Sequence, residues 1–161
     1  MLSLPRILLP VDFSGRSAGA ATYARGLAAR FDSEVLAVHV VDLRIFGFLA
    51  FLGQEDADSA APPESEALAG QALDRFIEQH LGGVRSRRAV LFGDPARQIV
   101  RCSEREKSSL IVLPTHGYGP FRQNLLGSVV SKVLHDAACP VWTGVHMENH
   151  AVAEPLKIGR I

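Results

Sequence analysis

A chain of 161 residues with 47% hydrophobic and 21% charged residues is long enough to bury a real core and reads as one ordinary soluble domain. Seventeen basic and seventeen acidic residues cancel, so no global charge points to nucleic acid or an anionic membrane, and any anion site must be local. Cys102 and Cys139 match no metal or redox spacing and read as free thiols. The N-terminus lacks the basic start and apolar core of a signal peptide, and the longest strongly apolar run, Ile45 to Leu52, is too short to span a bilayer. A cytoplasmic location is expected.

In chain order, the apolar run after Arg6 predicts a strand covered on both faces, stopped at Asp12 to Ser14, with Ser14 a good N-cap. Ala20, Ala24, Leu27 and Phe31 recur at helical spacing, and the small residues of that helix predict close packing on a sheet. Glu34 to Val41 is a second buried strand, which completes a right-handed βαβ unit with a parallel sheet. Residues 43–53 are apolar, with Phe46, Phe48 and Phe51 reading as a flap packed on the protein's own surface, and an acidic, proline-bearing loop follows. A helix is predicted from near Ser65, burying Leu68, Ala69, Ala72, Leu73, Phe76, Ile77 and His80 and ending at Gly82 and Gly83.

Ser86 to Phe92 is the third strand, and Asp94 with Pro95 marks the next helix start, facing Ala96, Ile99 and Val100 inward. Leu110 to Leu113 is the fourth strand. The last helix carries the stripe Val129, Val130, Val133, Leu134 and Ala137, and Cys139 to Val145 is the fifth strand. The tail from Met147 to Ile161 is aperiodic and is expected to be poorly ordered or to dock irregularly.

Five strands alternating with four helices predict a doubly wound, Rossmann-like α/β sheet, in which ligands bind beyond the carboxyl ends of the strands where strand order reverses. The residues at those ends are Asp12, Asp42, Gly93 and the run Thr115, His116, Gly117. The stretch from Ile111 to Val130 is a buried strand, a glycine-bearing loop, then Gly127 and Ser128 ahead of a helix. That order of parts supplies free N–H groups and a partial positive charge, as a phosphate site needs.

Residues 7–14, 38–41, 93–95, 115–117 with 125–129, and 139–141 together resemble the universal stress protein family, in the right order over about residues 5 to 146. The resemblance implies a family domain over 1–146 with a tail from 147. It implies an open five-stranded parallel sheet in the order 3-2-1-4-5, helices on both faces, homodimers paired through the last strand (Val141 to Val145), and binding of ATP or AMP. Whether Mg2+ accompanies the phosphates stays open. The family's motif is Gly, two residues, Gly, nine residues, Gly, then Ser or Thr; aligned here, Pro114 replaces the first Gly, Gly117 is the second and Gly127 the third, followed by Ser128. By the resemblance, Pro10, Val11, Asp12 and the Val40 backbone line the base and ribose. Leu113, Pro114, Thr115, His116 and Gly117 lie under sugar and phosphates, and Gly127, Ser128 and Val129 present helix N–H groups. Apart from the resemblance, Arg122 in the loop offers a mobile cation. Pro114 has no N–H, and Val130 stands where many ATP-binding members have a hydroxyl.

Plainer roles stand beside these. Asp12 reads equally as an acceptor for the next helix start, Ser128 as a helix cap, Gly117 and Gly119 as turn residues, and His39 as a packed, hydrogen-bonded residue. His80, His135 and His146 have no metal spacing. Trp142 reads as core or as part of an edge strand open to self-pairing. No Walker motif or organised base is offered, so slow ATP hydrolysis is the most enzymatic reading. A nucleotide-free interaction module is the other alternative. A response regulator fits less well, because Asp12 stands alone rather than in an acidic pair.

Overall fold

The computed structural model describes residues 3–42, 63–115 and 126–144. Its elements are β1 (Arg6–Pro10), α1 (Gly15–Phe31), β2 (Glu34–Val41), α2 (Pro63–His80), β3 (Arg85–Phe92), α3 (Pro95–Arg105), β4 (Leu110–Pro114), α4 (Ser128–Asp136) and β5 (Val141–Gly144). All neighbouring strands are parallel, in the order β3-β2-β1-β4-β5. The Phe46 to Phe51 segment, the tail and His146 lie outside the described residues.

Strand side chains alternate between two cores, as the pleat requires. Ile7, Leu9, Val35, Ala37, Leu110 and Val112 pack against α1 and α2. Leu8, Leu36, Val38, Ile111 and Leu113 pack against α3 and α4. The central strands are therefore apolar on both faces, which is why they read as continuous runs. The small face of α1 seats directly on the sheet: Ala20, Ala21 and Ala24 are wholly buried.

Two expected core residues are outside it. Leu68 is 67% exposed; it lies five residues from the buried Leu73, about 140° round the helix, off the α2 stripe. Leu134 is likewise exposed, next to Val133, which takes the inward position on α4. β5 begins at Val141 rather than Cys139, although the Pro140 carbonyl already accepts from the Ile111 N–H.

β1 and β4, at the point of order reversal, pair only at Ile7 with Leu110 and Leu8 with Ile111. Backbone direction explains why. The Val11 N–H points at β2, donating to Val38, and the Ile111 and Thr115 N–H groups point at β5, donating to Pro140 and Gly144. Peptide groups alternate sides along a strand, so the nitrogens of residues 10 and 114 face one another's strands. Both are proline and neither can donate. The next two rungs are chemically impossible, so the pairing of β1 with β4 ends there, at the reversal of strand order where a doubly wound sheet has its crevice.

Candidate functional site

The β1 bank of the crevice ends in a knot of short polar side chains. Asp12 Oδ1 accepts from the Ser14 N–H at 3.0 Å, from the Ser14 hydroxyl at 2.6 Å and from the Ser17 hydroxyl, while the Asp12 N–H donates to Ser17 Oγ at 3.0 Å. Ser14 caps α1 through the Ser17 N–H. Asp12 thus does serve the helix start, but through one oxygen; Oδ2 has no hydrogen-bond partner among the described residues. Phe13, between them, takes the left-handed backbone at φ 62°. Sequence pattern held no sign of that strain, because a bulky residue there is unusual.

The β4 bank is pinned on both sides. Buried Thr115 donates to the Gly144 carbonyl from its N–H and its hydroxyl, both at 3.2 Å, and its own carbonyl accepts the Gly127 N–H at 3.0 Å. The chain that leaves at Thr115 therefore returns to the same point at the start of α4. His116, Gly117, Gly119 and Arg122 fall between and lie outside the described residues.

Gly127 is the N-cap of α4 and Ser128 its first helical residue, so Ser128 is not the cap; a glycine cap supplies no side-chain acceptor. The first intrahelical bond is Ser131 N–H to Gly127 carbonyl at 2.9 Å. With the Gly127 N–H taken by Thr115, the expected trio of donors shifts by one: the N–H groups of Ser128, Val129 and Val130 have no partner among the described residues. The starts of α1 and α3 differ, since Ser14 caps α1 and Asp94 caps α3 through the Arg97 N–H. One turn into α4, Lys132 Nζ lies 3.6 Å from Asp94 Oδ1.

Of the remaining expected residues, Val11 and Leu113 are buried with their side chains in the two cores, so each has only backbone to offer a ligand. Val40 is half-buried near the end of β2, and Pro10 and Pro114 close their strands. The Val130 side chain is 5% exposed in the core and makes no polar contact there.

The family model described as the universal stress protein family matches residues 4–143. The chain belongs to the universal stress protein family. A universal stress protein of Methanocaldococcus jannaschii is 36% identical over 136 residues, covering 84% of this chain and 79% of its own length. One from Thermus aquaticus is 32% identical, covering 84% and 94%. Among solved structures, a hypothetical protein whose biochemical function was assigned from its structure has a TM-score of 0.74 at 23% identity, covering 89% and 97%. A universal stress protein in complex with cAMP has a TM-score of 0.63 at 16% identity, and one from Archaeoglobus fulgidus in complex with dAMP 0.53 at 21%. The chain covers 89% of its length against each, and 98% of each of those chains is covered. These structural likenesses show the shared five-stranded parallel fold.

Proposed function

We propose that this universal stress protein binds an adenine nucleotide, ATP or AMP, in the crevice between the ends of β1 and β4, and acts as a dimeric cytoplasmic regulator. The observation that carries the reading is the start of α4, where three backbone N–H groups have no partner among the described residues, beside the gap the two prolines open. Two structural neighbours complexed with adenine nucleotides support it. Ser128, Val129 and Val130 N–H groups take phosphate oxygens, with the exposed Ser128 hydroxyl as a further donor and His116, Gly117 and Arg122 completing the loop side. Asp12 Oδ2 takes ribose hydroxyls, and Pro10, Val11 and the Val40 backbone flank the base. Leu113, Pro114 and Thr115 form the floor. We assign binding rather than turnover.

Isothermal titration with AMP and with ATP tests this: saturable heat at one site per chain is expected. Absence of heat and of any thermal shift at millimolar nucleotide overturns it. A second reading, a nucleotide-free interaction module, is favoured by the Val130 side chain, which is sunk in the core where a hydroxyl contact to phosphate is expected. An adenine nucleotide found by native mass spectrometry of the purified protein rejects that alternative.

Pairing through β5 rests on the contrast between the two sheet edges. β3 carries Arg85, Arg87 and Arg88, each in an ion pair, a pattern that discourages edge-to-edge association. β5 instead shows Trp142, 37% exposed and leaning on Tyr23 at 6.2 Å. Sedimentation velocity should give twice the chain mass, and a monomer at micromolar concentration rejects the dimer.

A further inference from the structure

We propose that His39 is a positioning residue for the base: its side chain replaces a backbone rung between β1 and β2 and so leaves the Val40 peptide group open to a nucleobase edge. The inference deepens the nucleotide reading and rests on it. In a regular parallel ladder, the Val11 N–H donating to Val38 is followed by the Val40 N–H donating to the Val11 carbonyl. The first of these bonds is present at 2.8 Å, and the second is not: pairing of β1 with β2 stops at Pro10 and Val38. The Val11 carbonyl is held instead by His39 Nδ1 at 2.7 Å. A carbonyl only accepts, so Nδ1 carries the proton.

Direction completes the argument. The Val41 carbonyl faces β3, where it accepts from the Gly93 N–H, so the peptide groups of Val40 face β1 and the crevice. Neither the Val40 N–H nor its carbonyl has a partner among the described residues. A donor and an acceptor on one side of one residue match a base edge that pairs a ring nitrogen acceptor with an amino donor. The imidazole is clamped for this task. Phe13 packs on it at 4.5 Å between ring centroids and is backed by Phe76 at 6.3 Å, an arrangement reached through the left-handed turn at Phe13.

Two variants separate the roles of the ring: His39→Leu removes the donor, and His39→Asn keeps an N–H near the Nδ1 position. Amide hydrogen exchange at Val40 in ligand-free protein, and affinities for AMP and ribose 5-phosphate, are measured for all three proteins. The Val40 amide should exchange freely in the wild type and slow at least about tenfold in His39→Leu, as the rung closes. AMP should weaken about tenfold in the same variant, the worth of one or two neutral hydrogen bonds, while ribose 5-phosphate is unchanged. His39→Asn should behave as wild type. A Val40 amide already protected in the wild type overturns the inference, as does equal loss of both ligands in His39→Leu. Should the wild type bind neither ligand, the nucleotide reading fails, and Val40 exchange alone still decides whether His39 holds the strands apart.

Discussion

Ser17 shows how much of the crevice depends on single hydroxyl groups. It is 1% exposed, accepts from the Asp12 N–H and donates to the Asp12 carboxylate. Ser17→Ala leaves the part-buried Asp12 N–H without this partner and should cost about 1 kcal/mol in urea unfolding, with weaker nucleotide binding as Asp12 loosens. An unchanged unfolding midpoint contradicts that account. Sequence made part of this legible. Ser14 as a cap follows from its chemistry next to a helix pattern, and Asp12 was placed at the right strand end. The His39 partner was beyond reach because it is a backbone carbonyl 28 residues away, and side-chain patterns carry no mark of a missing rung. For the same reason residue pattern gives no sign that the nitrogens of Pro10 and Pro114 face one another's strands.

At the scale of elements, the strand starts are tied by charge where the strand ends are left open. Glu34 accepts from Arg6 at 2.9 Å and lies in an ion pair with Arg87 at 3.2 Å, and Glu106, after α3, pairs with the same two arginines. Burial pushes the Glu34 carboxyl up, but the hydrogen bonds and charges of Arg87 and Arg6 together outweigh it and hold it below its ordinary value. The Arg87 hydrogen bond is the largest influence on Glu106 and lowers it against its burial. Depressed carboxyls contribute stability that is present above the unfolded value near 4.5 and is lost as pH falls through the folded values below it. Arg87→Met should therefore cost about 1 kcal/mol at neutral pH after solvent screening. It should also flatten the fall of urea stability with acid below about pH 4.5. A slope equal to wild type contradicts the network's role. Helix faces show where periodicity stops informing: Leu73 and Phe76 lie on the buried stripe of α2 as expected, whereas Leu68 falls off that stripe and Leu134 off that of α4.

For the whole molecule, the two-sided core follows from apolar runs that alternate with amphipathic helices, whereas the strand order was legible only through the family resemblance. The place of the crevice follows from the order as well, since the sheet reverses between β1 and β4. Among the described residues, what it can offer is mostly backbone: uncapped donors at α4 and an unpaired peptide group at Val40, with one unpaired side-chain oxygen at Asp12. A site built from backbone groups leaves a faint trace in residue identity. Co-crystallisation with AMP tests the account most directly. Electron density should place the phosphate against the Ser128 to Val130 N–H groups and the sugar beside Asp12, between the ends of β1 and β4. A crevice filled by the Pro114 ring or by the protein's own side chains, with the nucleotide elsewhere or absent, contradicts it.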